Sequence, residues 1–220
     1  MHEHLSFNQQ IKAVSEANLN AVSSASLYGR GVFTTIAIYK SKPFQWRVHW
    51  ERLTQNAAKI SLDVSELNES LLQKSFFELI AANTIENGRA RITIFDSRFG
   101  AIWNFENEKS IDVLITTADF GQPKATLNLM TSKFSVNTES PLANVKSCNY
   151  LENLLALEDA KRRGFDEALR LNQRGEIVSA AMANVFWVKN EAIFTPSLKT
   201  GALKGTTRNF VLNLAKELNL

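Results

Sequence analysis

The pattern of apolar and polar positions in the first half of the chain predicts a mixture of strands and helices. Residues 32–39 are β-branched and aromatic and end at a turn, which predicts the first strand of a hairpin. Apolar residues recur at helical spacing over residues 47–61, and a second helix, capped by Ser65, is expected to follow. Two further strands are then predicted, at residues 89–95 and 111–118, with a loop at residues 97–108 between them.

The pattern changes after residue 118. Gly121 and Pro123 punctuate residues 119–125, which are the best candidate for a linker. Beyond them the sequence predicts strands at residues 126–134, 167–171, 176–179, 184–188 and 193–194, and helices at about 149–163 and 206–218. We therefore expect an α+β protein with a small N-terminal domain, residues 1–118, and a larger C-terminal domain, residues 126–220.

Composition narrows the class of protein. With 220 residues, 45% hydrophobic and 21% charged, the chain can bury a sizeable core. The net charge of +3 is spread without a basic run, so neither a nucleic acid nor a membrane surface is an expected partner. The longest strongly apolar stretch, residues 177–188, is shorter than the roughly 20 residues that span a bilayer. A single cysteine, Cys148, fits a reducing compartment, and we expect a soluble cytoplasmic protein.

One lysine stands out among the residues that could carry chemistry. Lys146 follows an uncharged stretch, residues 140–145, and precedes a strongly apolar predicted helix, so partial burial is expected. Burial lowers the pKa of a lysine and makes its neutral amine available as a nucleophile for imine formation. The alternative for a lysine considered alone is a solvated surface residue.

Two other segments are candidates for anion binding. Gly205, Thr206 and Thr207 open the last predicted helix, where N–H groups and hydroxyls suit a phosphate, although an ordinary threonine cap is the alternative. Arg52 lies on a predicted helix beside His49 and is either a bidentate phosphate partner or an exposed arginine. The histidine and cysteine spacings match no metal-ligand pattern, and we expect no metal site.

Taken together, six segments in this order resemble the class IV aminotransferases. This pyridoxal-phosphate family includes branched-chain and D-amino-acid aminotransferases and aminodeoxychorismate lyase. The segments are residues 28–35, His49-x-x-Arg52-Leu53, and residues 146–151, 164–169, 184–186 and 203–208. The resemblance implies fold type IV, with a small α/β domain and a larger pseudo-barrel domain, and a homodimer. It also implies a C-terminally shortened chain, since family members usually continue beyond the helix that begins at Gly205.

The resemblance assigns roles by position to the residues that bind the pyridoxal 5′-phosphate cofactor. Lys146 matches the lysine that bonds to the cofactor and acts as the catalytic residue. Arg52 matches the arginine that binds the phosphate. The remaining matches are Tyr150 as partner of the phenolate oxygen, Leu203 beneath the ring, and Thr206 and Thr207 at the phosphate.

Two details favour the lyase within this family. Phe33-Thr34-Thr35 stands where aminotransferases usually carry Phe-Glu, and Phe186-Trp187 is similar to the lyase. The resemblance then implies conversion of 4-amino-4-deoxychorismate to p-aminobenzoate and pyruvate, a step of folate biosynthesis. Lys146 would remove the substrate proton before an elimination that forms the aromatic ring. Candidates for the substrate side are Arg98 and Arg91, for carboxylates, together with Tyr28 and Thr34.

One position departs from the family pattern. The family carries a glutamate, paired with the pyridine nitrogen, five residues before the position of Asn184, and this chain has Ser179 there. Glu176 lies three residues earlier and on a strand should point to the opposite face. A hydroxyl would leave the nitrogen neutral and weaken the electron sink on which transamination most depends. The alternatives to a lyase are a branched-chain or D-amino-acid aminotransferase, and a catalytically impaired relative acting as a binding protein.

Overall fold

The computed structural model describes residues 1–98 and 110–218, which divide into two compact units. Residues 1–122 together with 146–149 form the first unit, and residues 123–145 together with 150–220 form the second. The first change of unit falls inside the segment predicted as a linker. Most of the loop predicted at residues 97–108 lies outside the described residues.

In its described part, the first unit is a six-stranded sheet covered on one face by two helices. Its elements in chain order are β1 (His4–Phe7), β2 (Gln10–Ala13), α1 (Ser24–Tyr28), β3 (Gly31–Tyr39), β4 (Lys42–Pro43), α2 (Trp46–Lys59), α3 (Glu69–Ala82), β5 (Gly88–Asp96) and β6 (Ile111–Ala118). The strands lie in the order β2-β1-β6-β5-β3-β4, and each neighbouring pair is antiparallel. The hairpin, the two helices and the two strands predicted from the sequence are confirmed.

The two faces of this sheet differ because side chains alternate along a strand. Even-numbered residues of β3 and β5 are buried beneath the helices, and all except Thr34 and Asp96 are apolar, as Ile36 and Ile92 illustrate. The odd-numbered residues, including Phe33, Thr35 and Arg91, point to the opposite face. The helices therefore complete a core on one side, and the other side remains available for polar groups.

The helix α2 buries a stripe that is only partly apolar. Leu53 and Ala57 are fully covered, as their spacing predicts, but so are the polar residues His49 and Asn56. A polar side chain in a buried stripe requires a hydrogen-bonding partner, because desolvation is otherwise costly. His49 has such a partner in the Thr34 hydroxyl, whereas the buried amide nitrogen of Asn56 has none among the described residues.

The start of α3 differs from the prediction. Ser65 was expected to cap this helix, but the cap is Asn68, whose side-chain oxygen accepts a hydrogen bond from the Leu71 N–H at 3.1 Å. The Ser65 N–H instead donates to Asp63 in a turn. Both residues are good caps by type, and the geometry of the preceding turn selects the later one.

Strands β1 and β2 and the short helix α1 were not predicted. The first two strands have four residues each, too short for alternation to be distinctive. They are held by tertiary contacts: Leu5 is buried, and the hydroxyls of Ser6 and Ser75 lie 2.6 Å apart. These elements form because the sheet and α3 stabilise them.

The described part of the second unit contains two small sheets and two helices. Its elements are β7 (Leu129–Thr131), α4 (Leu151–Arg162), β8 (Glu167–Leu171), β9 (Ile177–Ala180), β10 (Trp187–Lys189), β11 (Ala192–Phe194) and α5 (Thr206–Glu217). Strands β7 and β8 are parallel, β8 and β9 antiparallel, and β10 and β11 form a hairpin. The strand predicted at residues 126–134 is therefore only three residues long.

Small residues form the core of the second unit. Ala156 and Ala160 of α4 pack with Ala168 of β8 and with Ala181. In contrast, the leucines of α4 at positions 151, 154 and 155 are exposed.

Among the described residues, no helix has the length and apolarity needed to cross a membrane.

A buried carboxylate fixes the end of β5. Asp96 is fully buried and accepts hydrogen bonds from the Arg98 guanidinium at 2.6 and 2.9 Å, and Arg30 lies 3.3 Å away. Burial alone would raise the pKa of the Asp96 carboxyl, but the hydrogen bonds and charge of Arg98 and the charge of Arg30 outweigh it. Its pKa therefore lies below the ordinary 3.8.

The substitution Asp96→Asn should destabilise the protein by about 2 kcal/mol at pH 7, less than a fully buried ion pair because both arginines reach solvent. A carboxyl whose pKa is lowered in the folded state contributes stability above its unfolded pKa. The contribution is lost as the pH falls through the folded value, so the difference between variant and wild type should shrink in acid. Urea unfolding from pH 2 to 7 measures this, with Glu51→Gln, an exposed carboxylate, as the control. Equal stability at pH 7 would contradict the assignment.

Candidate active site

Main-chain pairing places Lys146 beside the sheet of the first unit. The Phe33 N–H donates to the Lys146 carbonyl at 3.0 Å, and the Cys148 N–H donates to the Gly31 carbonyl at 2.9 Å. Ser147, between them, forms an isolated antiparallel bridge with Val32. The segment of residues 146–149 thus extends the sheet along the first half of β3, and its backbone is fixed as a strand would be.

A glycine in β3 makes this pairing possible. A Cβ atom on Gly31 would lie 2.7 Å from the Ile94 carbonyl and 3.1 Å from the Cys148 sulfur. Since real side chains do not approach backbone so closely, only glycine fits between β5 and the segment that carries Lys146. Gly31 is therefore a residue of the segment 28–35 at which a side chain cannot be accommodated.

The side chain of Lys146 lies in a positively charged environment. Its Nζ is 4.4 Å from the centre of the Phe33 ring, and the guanidinium of Arg91 is 3.6 Å from the same ring. Burial, followed by the charges of Arg52 and Arg91, lowers the pKa of Lys146 from 10.5 to about 7. Far more of the amine is therefore neutral at pH 7 than in an exposed lysine, as a nucleophile or proton acceptor requires.

A hydrogen-bonded group links Arg52 to the core face of β3. Arg52 donates from Nη2 to the Thr34 hydroxyl at 2.6 Å, and that hydroxyl is 2.7 Å from Nδ1 of His49. Because arginine can only donate, the hydroxyl accepts from Arg52, and the tautomer of His49 determines which of Thr34 and His49 donates in the second hydrogen bond. Burial, followed by the charges of Arg52 and Lys146, lowers the pKa of His49 to about 3. A neutral His49 therefore fixes the hydroxyl that orients Arg52.

The second unit contains a separate candidate for anion binding. Helix α5 begins at Thr206 without a side-chain cap on its first N–H groups. Asn184 donates to the Leu203 carbonyl at 3.0 Å, and a Cβ on Gly205 would lie 1.9 Å from the Asn184 oxygen. The turn that precedes α5 is thus held by Asn184 and requires glycine, while its N–H groups remain available to an anion. Thr206 is buried and Thr207 is exposed.

The position that departs from the family pattern lies in β9 of the second unit. Ser179 is half-buried and pairs with Arg170 of β8. Glu176 precedes the strand, where its carboxylate accepts hydrogen bonds from Asn172 at 2.7 Å and Arg174 at 2.9 Å. Glu176 is therefore committed to this turn and does not take the place of a carboxylate at position 179. Tyr150, in the same unit, is the residue that precedes α4.

The structure places the four predicted substrate residues differently. Arg91 lies on the open face of the sheet beside Phe33, and Tyr28 is exposed at the end of α1. Thr34 is fully buried on the core face, where it contacts Arg52 and His49. Arg98 is bound to Asp96, which occupies two of its donor groups.

Sequence reasoning missed two features of the site. His49 was treated as a companion of Arg52 on the same helix face, but it is buried and bonded to Thr34. A polar residue at a buried position of the helical period was the available signal. Arg89 was not singled out, although it lies two residues before Arg91 on β5 and therefore projects from the same face.

The lowered pKa of Lys146 gives a testable pH profile. Reductive methylation of Lys146 in the cofactor-free protein should reach half its maximal rate near pH 7, instead of near 10.5. Arg52→Gln removes a positive neighbour, so the pKa should rise and the rate at pH 7 should fall by about twofold or more. Arg47→Gln, on the exposed side of α2, serves as the control. A midpoint near 10 in the wild type, read by mass spectrometry of the labelled peptide, would contradict this environment.

Comparison with known proteins gives relatives along nearly the whole chain. This chain is 29% identical over 230 residues to the branched-chain-amino-acid aminotransferase of Escherichia coli (strain K12), with 99% of this chain and 74% of that protein covered. It is also 29% identical over 213 residues to the aminodeoxychorismate lyase of Bacillus subtilis (strain 168), with 93% and 71% covered. The crystal structure of the Escherichia coli branched-chain amino acid aminotransferase matches with a TM-score of 0.91 at 29% identity, covering 100% of this chain and 76% of that one.

A family-wide match completes these pairwise similarities. The pattern of the amino-transferase class IV family matches residues 31–220, which include Lys146, Arg52, Ser179 and the start of α5. The fold type IV expectation is confirmed by the structural match. The chain is therefore an enzyme of the class IV aminotransferase family, whose cofactor is pyridoxal 5′-phosphate.

Proposed function

We propose that this enzyme is a lyase that converts 4-amino-4-deoxychorismate to p-aminobenzoate and pyruvate. The observation that carries the proposal is the hydroxyl of Ser179 in β9, together with the commitment of Glu176 to Asn172 and Arg174. Without a carboxylate at position 179 the pyridine nitrogen would stay neutral, which weakens the electron sink. An elimination driven by formation of an aromatic ring depends less on that sink than full transamination does. The similarity to the Bacillus subtilis lyase supports the same assignment.

The residues of the first unit fit the cofactor. A lysine whose pKa is about 7 offers the neutral amine that must bond to the aldehyde of pyridoxal phosphate. Arg52, held in place through Thr34, supplies a charged fork suited to a phosphate. When bound, the cofactor supplies an electron sink for the substrate carbon next to the amino group.

The chain's own residues would then perform three tasks. Lys146 Nζ accepts the proton of that carbon, and its lowered pKa keeps the amine a proton acceptor at neutral pH. Arg91, on the same face of the sheet as Phe33, holds a substrate carboxylate through charge-assisted hydrogen bonds. We assign Thr34 to positioning Arg52, because its buried hydroxyl contacts Arg52 and His49.

The second unit is proposed to contribute further contacts to the cofactor. The N–H groups at the start of α5, with the hydroxyls of Thr206 and Thr207, are assigned to the phosphate because the helix begins without a side-chain cap. Leu203 is assigned to the ring and Tyr150 to the phenolate oxygen, as the resemblance implies. Arg98 and Tyr28 stay candidates for the substrate, although Asp96 occupies part of the Arg98 guanidinium.

The second candidate function is an aminotransferase for branched-chain or D-amino acids. It is favoured by the similarity to the Escherichia coli branched-chain enzyme, in both sequence and structure. A catalytically impaired relative that acts as a binding protein is the third, favoured by the absence of a carboxylate at position 179. We also propose a cytoplasmic homodimer, since the exposed leucines of α4 offer apolar surface to a partner.

A paired assay separates these functions. With the protein saturated with pyridoxal phosphate, we expect release of pyruvate from 4-amino-4-deoxychorismate and at least tenfold slower formation of glutamate from 2-oxoglutarate and leucine. Lys146→Ala should abolish both reactions and the visible absorbance of the bound cofactor, while circular dichroism controls for folding. Faster glutamate formation would favour the aminotransferase. Absence of both activities, with the absorbance present, would favour the binding protein.

The substitution Ser179→Glu tests directly whether the hydroxyl at position 179 determines the type of reaction. A carboxylate at this position should keep the pyridine nitrogen protonated and strengthen the electron sink, so transaminase activity should rise by about tenfold. Ser179→Gln, of similar size but without charge, is the matched control and should give no gain. An unchanged transaminase rate in Ser179→Glu, with the cofactor shown by absorbance to be bound, would remove Ser179 as the basis of the proposal.

A further inference from the structure

A cavity opens on the uncovered face of the sheet in the first unit. It has a volume of about 240 Å³, and its lining includes Thr35 of β3, Arg89 and Arg91 of β5, and Thr116 of β6. Threonine hydroxyls and guanidinium groups thus face one space. Such a lining favours an anionic ligand, because it combines positive charge with several hydrogen-bond donors.

The register of the strands determines which residues share this space. Thr35, Arg91 and Thr116 are directly paired across three neighbouring strands, and Arg89 lies two positions further along β5. Residues two apart on a strand project to the same face about 7 Å from one another. The two arginines are therefore neighbours on one face of β5. Phe33 is paired with Thr93, so Arg91 is closer than Arg89 to the position of Phe33.

The two arginines differ in how they are held. Arg91 donates from Nε to the Thr93 hydroxyl at 3.1 Å and packs its guanidinium 3.6 Å from the centre of the Phe33 ring, the ring that Lys146 also contacts. Arg91 is thus fixed against the ring that Lys146 also contacts. Arg89 is exposed and forms no ion pair with any residue in the ranges 1–98 and 110–218.

We propose that Arg89 is a specificity-determining residue that binds a second carboxylate of the substrate, while Arg91 binds the first. The inference rests on the proposed function, because it assumes that the substrate's amino group is directed to Lys146. The substrate class is then a primary amine that carries two carboxylates. The aliphatic side chain of a branched-chain amino acid would leave Arg89 without a partner.

The spacing of the groups supports this class. Arg91 and Lys146 contact one ring, so a carboxylate on Arg91 lies near an amino group directed to Lys146. Arg89 lies beyond Arg91 by the length of two residues of a strand. A carbon skeleton of four to six atoms can bridge the two arginines. In the described lining of the cavity no carboxylate neutralises the two guanidinium groups, so a doubly charged ligand offsets a repulsion already present in the protein.

Two five-carbon probes that differ by one carboxylate test the inference. Glutarate and valerate carry no amino group and cannot react, so their affinities for the cofactor-saturated protein can be measured by isothermal titration calorimetry. Glutarate should bind about tenfold more tightly than valerate, as expected for one additional charge-assisted pair. Arg89→Gln should reduce this ratio to about one by weakening glutarate alone. Arg91→Gln should weaken both probes.

Controls separate this inference from general effects of charge and from the proposed function. Arg47→Gln removes the same charge from an exposed position on α2 and should keep the tenfold ratio. Circular dichroism and the urea midpoint check that each variant is folded. Equal binding of the two probes to the wild type, or an unchanged ratio in Arg89→Gln, would overturn the role of Arg89. Loss of the proposed function would appear separately, as absence of pyruvate release while the binding ratio persists.

Discussion

The hydrogen bonds between β3 and residues 146–149 are the contact on which the candidate active site depends. They fix the backbone of Lys146 against Gly31 and Phe33, although these residues are far apart in sequence. From that backbone the lysine side chain reaches the Phe33 ring and the neighbourhood of Arg52 and Arg91. Every property assigned to the amine, including its lowered pKa, follows from this position.

The site of the first unit brings several positively charged side chains together. Burial is the main cause of the lowered pKa of Lys146, and the charges of Arg52 and Arg91 lower it further. Burial likewise comes first for His49, followed by the charges of Arg52 and Lys146. Such an arrangement is unfavourable in the free protein and becomes favourable when anions bind. The phosphate of the cofactor and the carboxylates of a substrate are anions of this kind. The mutual repulsion of these cations and the affinity of the site for anions thus have the same origin.

Local pattern and resemblance predicted different parts of this protein. Alternation and helical spacing gave β3, β5, β6 and α2 because these elements bury enough apolar residues to show a period. The cap of α3 was misplaced because two suitable residues compete and only the turn decides. The return of Lys146 to the first unit, and the burial of His49, depend on contacts distant in sequence. No local pattern encodes those contacts, and the roles of Lys146 and Arg52 came from the resemblance.

The pairing of residues 146–149 with β3 also bears on how the chain reaches its native state. In the described sheet, β4 covers only the last two residues of β3, and the edge near Val32 is covered by Ser147. During synthesis this edge has no partner until residue 147 has left the ribosome. An uncovered strand edge is a template for pairing with another chain. The attachment that creates the site therefore also covers a strand edge that could otherwise pair with another chain, and it does so late.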